Sequence, residues 1–382
     1  MDAFYASVEL LRYPQLKGLP VVIGGSRRNA DTDDTHLPSS AFPRLKDYVG
    51  RGVITTATYA ARQFGVGSAM GLMKAARLCP QAILLPVDFD AYRRASRAFK
   101  SVITDIAPLM EDRGIDEVYI DFTEVPGGQR EGGRVLARLI QKGIYNATGL
   151  TCSIGVAPNK LLAKMASEFN KPNGIAIIHE GDLTTRIWPL PCRKIHGIGP
   201  KTELKLTSLN IQTIGELAAT SLETLQVQFG RSLGRWLHDA AWGRDDRPLQ
   251  THSEPVSMSR ETTFERNLHP LRDRAELSTV FARLASQVAA DLARKHYRGR
   301  TVAVKLRFDD FRTVTRHFSV PSPIDQPADI LRAAREALKR APLERPLRLL
   351  GIRVDNLQPA LPLQAPMDAT TAATTEDQGS LF

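Results

Sequence analysis

Cysteine is scarce in this sequence, and long hydrophobic runs are missing from it. The three cysteines in 382 residues are odd in number and lack the spacing of a metal site, which fits a reducing compartment. The best apolar run, residues 82–87, is far shorter than the roughly 18 residues that a membrane span needs. Residues 1–5 have no basic stretch followed by an apolar core, so we expect no secretory signal, no membrane contact and a cytoplasmic location.

The composition is that of a folded protein with several domains. Hydrophobic residues make up 42% and charged residues 24%, which excludes a mostly disordered or fibrous chain. At about 100–200 residues per domain, the length predicts two to four domains. Fifty-one Lys and Arg against 41 Asp and Glu give a formal net charge of +10, which favours a polyanionic partner. Residues 246–357 alone carry 21 basic and 14 acidic residues.

Three stretches of polar composition divide the chain. Residues 26–49 are typical of a surface loop or an insertion, and residues 242–254 resemble an interdomain linker. Residues 359–377 are rich in Pro, Ala and Thr and cannot bury enough apolar surface to become ordered, so we expect a flexible tail there. Strand and helix patterns alternate elsewhere, and residues 256–355 follow the order β-α-β-β-α-β, which is a known compact arrangement.

An adjacent pair of carboxylates, Asp116 and Glu117, stands at the start of an apolar strand predicted over residues 115–122. In an ideal strand the two side chains point to opposite faces. Both reach one metal centre only if the pair lies in a turn that enters the strand, which Gly114 permits. Such oxygen ligands suit Mg²⁺ in an in-line phosphoryl transfer. The alternative is a solvated hairpin without a site, and Asp121 is expected to face solvent.

The segment 194–202 has the pattern of a helix-hairpin-helix, a motif that binds nucleic acid without reading its sequence. Gly197 and Gly199 allow backbone N–H groups and the following helix N-terminus, near Lys201, to approach a phosphate closely. Residues 211–217 look like the start of a second hairpin. Cys192 and His196 have no partner pair at zinc-site spacing, so we expect them to be packing or surface residues.

Taken together, these segments resemble the Y-family translesion DNA polymerases of the bacterial DNA polymerase IV type. The matching segments occur in the family's order and cover most of residues 1–358: MDAFYASVEL at 1–10, TTATYAARQFGV at 55–66, GIDEVYIDFT at 114–123, TCSIGVAPNKLLAKMASEFNKPNG at 151–174 and KIHGIGPKT at 194–202.

The resemblance implies an α+β, multi-domain right-hand polymerase with a βαββαβ little-finger domain. Its parts are predicted as follows: a palm at 1–10 and 75–165 without its N-terminal strand, fingers at 11–74 with an insertion around 26–49, a helical thumb with the helix-hairpin-helix at 166–241, a linker at 242–254, the little finger at 255–358 and a tail at 359–382 with a clamp-binding peptide.

The resemblance also implies roles for single residues around the nucleotide. Asp116 and Glu117 match the acidic pair that binds two Mg²⁺ ions. Tyr5 matches the aromatic steric gate, whose ring collides with a ribose 2′-OH and so selects deoxynucleotides. Tyr59 and Arg62, one helical turn apart in the fingers, and Lys160, at the end of a palm strand, match contacts to the triphosphate. Without the resemblance, Tyr5 reads as a core aromatic and Arg62 and Lys160 as ordinary surface charges.

Two further contacts are implied outside the nucleotide site. In the little finger, Lys305 and Arg307 alternate with apolar residues, which predicts one basic face for the DNA backbone, extended by Arg316 and Arg353; a merely solvated sheet is the alternative. The terminal QGSLF, with Gln378, Leu381 and Phe382, resembles the peptide with which bacterial polymerases dock on the sliding clamp (β subunit).

The start of the chain departs from the family pattern. Members carry a strand ending in Asp-x-Asp whose first Asp binds metal, and Met1-Asp2 corresponds to the last two positions, so Asp2 is not assigned the metal role. Either the natural protein extends upstream of an internal Met, which the intact acidic pair favours, or the chain is truncated and impaired. As written, we expect reduced stability and little polymerase activity. Gly114 in place of the usual Ser is expected to be tolerated.

The sequence therefore predicts a monomeric, low-fidelity, template-directed DNA polymerase for translesion synthesis, which adds dNTPs to a primer 3′-OH on primer-template DNA. The alternatives are a non-catalytic Y-family adaptor that binds DNA and the clamp, or an inactive, truncated polymerase. An adaptor is expected to lose the acidic pair, so Asp116 and Glu117 argue against it.

Overall fold

A computed structural model describes residues 1–29 and 34–360 of the chain. The chain divides into two compact units, Met1–Ser253 and the part from Glu254 onward. None of the helices in these described ranges is both long and apolar enough to cross a membrane. The predicted clamp peptide at the C-terminal end lies outside the described residues.

The first unit mixes short strands with helices. Its elements in chain order are α1 (Phe4–Arg12), β1 (Val21–Arg27), β2 (Ile54–Ala57), α2 (Tyr59–Arg62), α3 (Leu72–Leu78), β3 (Ile83–Val87), α4 (Phe89–Ile106), β4 (Met110–Asp112), β5 (Val118–Ile120), α5 (Arg134–Thr148), β6 (Ile154–Val156), α6 (Lys160–Ala166), β7 (Ile175–Ile177), α7 (Pro200–Ser208), α8 (Ile214–Ala219), α9 (Leu222–Phe229) and α10 (Arg231–Ala241).

The strands of this unit form three small sheets that rest on helices. One sheet has the order β2-β1-β3, with β1 antiparallel to β2 and parallel to β3, while β4 pairs with β5 and β6 with β7. A core of buried side chains joins α1, β1, β3, α4 and α5. The apolar residues of α4 recur at helical spacing, so Phe99 and Ile103 point into this core. A separate core joins α6 to α10.

The polar stretch 26–49 covers one edge of the three-stranded sheet. The backbone N–H of Leu45 donates to the carbonyl of Ala82, and the N–H of Leu84 donates to the carbonyl of Pro43. The side chains of Phe42 and Leu45 in this stretch are buried. Because an uncovered strand presents unpaired backbone groups, this cover satisfies the edge of β3. The described part of the expected insertion is thus anchored to the sheet rather than free on the surface.

The second unit is a four-stranded antiparallel sheet with two helices. Its elements are β8 (Ser257–Leu268), α11 (Arg274–Arg294), β9 (Tyr297–Phe308), β10 (Thr313–Ile324), α12 (Pro327–Leu338) and β11 (Leu347–Pro359). The strand order is β10-β9-β11-β8. Val304, Leu306 and Phe308 alternate along β9 toward the core formed with α11 and α12. The predicted order β-α-β-β-α-β is confirmed.

Candidate active site

The acidic pair lies in the turn between β4 and β5. Gly114 has a positive φ of 138°, and the N–H of Arg113 donates to the carbonyl of Glu117 at 3.0 Å, which closes the turn. The strand begins at Val118 rather than at residue 115 as predicted, because the preceding residues bend. Side chains of consecutive residues in a turn need not point to opposite faces, as they do in a strand. Asp116 and Glu117 therefore line the same cavity.

The two carboxylates differ in their partners. The backbone carbonyl of Asp116 accepts a hydrogen bond from the N-terminal ammonium of Met1 at 2.8 Å. Within the described ranges, the carboxylate of Asp116 makes no hydrogen bond or ion pair. Glu117 is paired with the ammonium of Lys164. Burial acts to raise the pKa of Glu117, but the hydrogen bond and charge of Lys164 outweigh it and hold that pKa below its usual value. Both groups offer the hard oxygen atoms that a divalent cation prefers.

A cavity of about 240 Å³ joins this pair to a cationic and aromatic wall. Tyr59 and Arg62, on the short helix α2, line it together with Tyr5. Burial and the charge of Asp2 raise the pKa of Tyr59 to about 12, and its buried hydroxyl has no hydrogen-bond partner among the described residues. Such an unsatisfied hydroxyl is expected to have a ligand when the site is filled. The guanidinium of Arg62 lies 4.9 Å from the ring centre of Tyr59.

The Tyr5 ring forms another part of the same cavity wall. It stacks on Tyr92 with ring centres 4.2 Å apart and planes 16° apart, and Phe89 meets it edge-on at 6.1 Å. Burial, and then the charge of Asp116, raise the pKa of Tyr5. The residue is therefore at once a partly buried aromatic of the core and a wall of the cavity.

Lys160 does not line this cavity, and Lys171 does. Lys160 is the first residue of α6, and its ammonium lies 2.8 Å from Glu111 and 2.8 Å from the carbonyl of Pro248. Lys160, which was predicted among the triphosphate contacts, is held away from this cavity by the buried ion pair and lines the larger cavity described below. No role was predicted for Lys171 from the sequence, although it belongs to the longest of the family-like segments.

Asp2 has a structural role in this arrangement. Its side chain is buried, accepting from the hydroxyl of Ser153 at 2.7 Å and from the backbone N–H of Asn173 at 2.8 Å. Each carboxylate oxygen of Asp2 thus accepts a hydrogen bond within the protein. In the part of the chain that the structure describes, no three His, Cys, Asp or Glu side chains cluster as metal ligands.

A larger cavity of about 820 Å³ lies beside the acidic pair. It is lined by Met1, by residues of β5 and β6, which belong to separate sheets, and by apolar side chains of α4 and α5. Asp121 lies on this wall, and its carboxylate accepts a solvent-exposed hydrogen bond from the N–H of Thr123 at 2.8 Å.

Comparisons with known proteins identify the family of this chain. Three family models match: the impB/mucB/samB family over residues 1–168, its C-terminal domain over 255–367 and the DNA polymerase-iota thumb domain over 193–245. DNA polymerase IV of Alkalilimnicola ehrlichii is 40% identical over 369 residues, which cover 96% of this chain and 96% of that protein. The chain belongs to the Y family of DNA polymerases.

Other relatives extend the match to the DNA polymerase IV group within the family. DNA polymerase IV of Halorhodospira halophila is 40% identical over 94% of each chain, and DNA polymerase IV 1 of Bacillus subtilis is 36% identical over 92% of this chain and 79% of that protein. A solved Y-family DNA polymerase chimera superposes with a TM-score of 0.77 at 26% identity, covering 93% of this chain and 96% of that one. The predicted right-hand α+β fold class is confirmed; the domain boundaries stay a prediction.

The hairpin of this Y-family chain is shaped by two glycines with different surroundings. Gly197 has a φ of 114°, and a Cβ there would lie 2.8 Å from the ring of Trp236. Gly199 precedes α7, and a Cβ there would meet nothing within 4 Å. The backbone of Gly199 and the exposed Lys201 are thus open to a large ligand. Cys192 is buried with its thiol on the carbonyl of Thr213, as expected of a packing residue.

The open face of the little-finger sheet carries three of the four predicted basic residues. Lys305 and Arg307 pair with Gly351 and Leu349 of β11, and Arg353 follows on the same face. The placement of Arg316 there was wrong: it pairs with the buried Val304, and its guanidinium donates to the carbonyl of Arg340 at 2.9 Å after α12. Directly opposed residues of antiparallel strands share a face, so Arg316 points to the helical side.

Proposed function

We propose that the 240 Å³ cavity is the nucleotide site of this translesion DNA polymerase, and that Asp116 and Glu117 hold two Mg²⁺ ions at its rim. The observation that carries the proposal is the meeting, in one cavity, of two carboxylates, an aromatic ring and three polar or cationic side chains from α2 and the segment before β7. The reaction is attack of the primer 3′-OH on the α-phosphate of a dNTP, with pyrophosphate as the leaving group.

Three side chains are proposed to bind the triphosphate. Arg62 and Lys171 supply positive charge, and the unpartnered hydroxyl of Tyr59 donates a hydrogen bond to a phosphate oxygen. Such fixed groups orient the nucleotide and stabilise charge that develops on the leaving pyrophosphate. Bound Mg²⁺ would lower the pKa of the attacking hydroxyl and neutralise the phosphates. Lys164 keeps Glu117 ionised, and therefore able to ligate, down to acidic pH.

Tyr5 is proposed to exclude ribonucleotides. Its ring lines the same cavity as the triphosphate-binding groups, and a sugar follows the phosphates of a bound nucleotide. The 2′-OH of a ribonucleotide would place an additional oxygen against the Tyr5 ring. Because the Tyr5 ring is packed against Tyr92 and Phe89, moving it away would cost packing energy.

The DNA is proposed to be bound through its backbone. The N–H groups beside Gly197 and Gly199, with Lys201, suit a phosphate at the start of α7. Lys305 and Arg307 offer cations on the open sheet face, although Lys305 also forms an ion pair with Glu261 at 2.8 Å. Contacts of this kind are independent of sequence, as a polymerase requires.

The C-terminal QGSLF is proposed to dock a monomeric, cytoplasmic polymerase on the sliding clamp, with Gln378, Leu381 and Phe382 as its anchors. A chain that ends after residue 377 is expected to lose clamp binding in a pull-down and to extend a primer on naked DNA as the full chain does. Equal clamp binding by the two chains would refute this assignment.

Primer extension by Asp116→Asn tests the polymerase assignment. The neutral side chain keeps the shape of the site and loses the charge that binds metal, so extension with Mg²⁺ is expected to disappear. Asp121→Asn is the matched control, because Asp121 is a neighbouring acid that does not line the nucleotide cavity. Binding of a dNTP in the presence of Mg²⁺ is measured beside extension, because this readout does not depend on the turnover of the parent. Equal extension by the Asp116 variant and its parent would favour the non-catalytic adaptor instead.

A further inference from the structure

A face of α1 continues from the nucleotide cavity into the protein core. Tyr5, Glu9 and Arg12 follow at helical spacing and all three face α4. Of these, Tyr5 lines the cavity, whereas Glu9 is buried and 1% exposed. A buried carboxylate beside a proposed substrate site requires a reason, because removing its charge from water costs several kcal/mol.

Glu9 holds the ring on which Tyr5 stacks. The hydroxyl of Tyr92, which is fully buried, donates to Glu9 Oε1 at 2.6 Å. The other carboxylate oxygen accepts from Arg12 at 3.0 Å, and Arg12 also donates to Asp88 Oδ2 at 2.6 Å. Burial raises the pKa of Glu9 and outweighs the opposing effects of Tyr92 and Arg12.

The same network fixes the beginning of α4. Asp88 is the N-cap residue of that helix, and its other oxygen accepts from the N–H of Ala91 at 2.9 Å. One polar chain, from Asp88 through Arg12 and Glu9 to Tyr92, therefore joins α1 and α4 next to the Tyr5 ring. Tyr5 itself has ring contacts with Tyr92 and Phe89 but makes no hydrogen bond within the described residues.

We infer that Glu9 is a positioning residue for sugar selection: by fixing Tyr92, it sets the place of the Tyr5 ring at the cavity wall. The inference rests on the proposed function of Tyr5 as the steric gate. A gate discriminates only if its ring stays in place, since a displacement of about 1 Å is enough to change rates strongly at a reacting centre. The Tyr92 ring packs against one face of the Tyr5 ring, and the hydrogen bond from the Tyr92 hydroxyl to Glu9 holds the Tyr92 ring in place.

The test measures dissociation constants of a matched dNTP and rNTP in complexes with Mg²⁺ and a primer-template whose primer ends in a dideoxynucleotide. The ratio of the two constants is the readout, because a loss of folded protein affects both nucleotides equally. Tyr92→Leu, which removes the stack, is expected to lower discrimination about tenfold. Glu9→Leu is expected to lower it about threefold to tenfold, and Glu9→Gln, which keeps an acceptor, to restore most of it.

Tyr13→Phe is the matched control. Tyr13 is a second fully buried tyrosine of the same core, and its hydroxyl donates to a carboxylate of Asp34 at 2.6 Å without touching Tyr5. Tyr92→Phe and Tyr13→Phe each lose one hydroxyl that donates to a carboxylate in the same core. Tyr13→Phe is expected to keep the ratio of the parent, and Tyr92→Phe to lower it as Glu9→Leu does.

Tyr5→Ala separates failure of the inference from failure of the gate. If Tyr5→Ala lowers discrimination while both Tyr92→Leu and Glu9→Leu leave the ratio within twofold, the positioning role is refuted and the gate stands. If Tyr5→Ala also leaves the ratio unchanged, the gate and the inference fall together. Should Glu9→Leu not fold, Tyr92→Phe, which keeps the ring and loses the hydrogen bond to Glu9, decides the question against Tyr13→Phe.

Discussion

Two lysines near the acidic pair differ in the role that their surroundings predict for them. Lys160 was predicted to bind nucleotide, yet its ammonium lies 2.8 Å from Glu111, and the two side chains are 10% and 4% exposed. Lys171 lines the nucleotide cavity and pairs with the partly exposed Glu168. Lys160→Met and Lys171→Met remove the same charge and keep a similar chain length, so they are a matched pair.

The magnitudes follow from burial. Removing Lys160 leaves a buried carboxylate without its main cation, which costs about 3–5 kcal/mol of the free energy of unfolding. At about 2–4 °C per kcal/mol for a unit of this size, the melting temperature falls by about 6–20 °C. Removing Lys171 breaks a pair on the surface worth less than about 0.5 kcal/mol. It also removes a charged contact to the triphosphate worth about 1.5–3 kcal/mol, so KM for dNTP rises about tenfold or more.

The assay is a thermal melt beside steady-state primer extension, on both variants and their parent. We expect Lys160→Met to have a lowered melting temperature and an unchanged KM for dNTP. We expect Lys171→Met to have the melting temperature of the parent and a raised KM for dNTP. The reverse result, or a raised KM for both variants at normal stability, would refute the distinction drawn from the two cavity walls.

The Lys160–Glu111 pair also predicts a dependence of stability on pH. Burial acts to raise the pKa of Glu111, but hydrogen bonds from Lys160 and from the N–H of Gln250 outweigh it, and the pKa is lowered. A carboxylate with a lowered pKa stabilises the fold above its ordinary pKa of about 4.3 and loses that contribution as pH falls through the lowered value. The parent is therefore expected to be more stable than Glu111→Gln at pH 7, with the difference shrinking below about pH 4 in urea titrations. A difference that is constant from pH 7 to pH 3 would contradict this.

Three further outcomes test other parts of the structure. Tyr59→Phe removes a hydroxyl without a partner among the described residues, so stability is expected to stay equal or rise slightly while KM for dNTP rises; a loss of more than about 1 kcal/mol in a melt would show a hidden partner. Gly197→Ala would place a Cβ 2.8 Å from the indole ring of Trp236, so it is expected to lower the free energy of unfolding by about 1–3 kcal/mol in denaturant titrations. Gly199→Ala, whose Cβ would meet nothing within 4 Å, is expected to lower it by less than about 1 kcal/mol. Lys305→Ala is expected to lower the salt dependence of DNA binding by about one ion, whereas Arg316→Ala leaves it unchanged; equal slopes for both would contradict the assigned faces.

Much of the fold was predictable because its signals are local. The alternation along β9 and the turn permitted by Gly114 each depend on residues close in the chain, and both are found as expected. The acidic pair is brought to one cavity by that turn alone. The family-like segments then identified which of several ordinary-looking polar residues belong together.

Arg316 was misplaced because its face depends on the register of a hairpin. Strands β9 and β10 pair with Thr313 opposite Arg307, so that Arg316 lies opposite Val304. Even-numbered residues of the two strands therefore share one face, and odd-numbered residues share the other. A turn longer or shorter by one residue would reverse this and bring Arg316 to the basic face. Alternation within one strand cannot reveal the register between two, which is why Lys305 and Arg307 were placed correctly relative to each other and Arg316 was not.

Lys171 shows a different limit, since its position is set by residues distant in sequence. The backbone N–H of Asn173 donates to Asp2, whose other oxygen is held by Ser153, so three segments meet at one buried carboxylate. That contact places the segment before β7 beside α1, and with it Lys171 beside the cavity. No periodicity in the sequence connects residues 2, 153 and 173. The buried Asp2 therefore contributes to the proposed nucleotide site by holding the segment that carries Lys171, although Asp2 does not line the cavity itself.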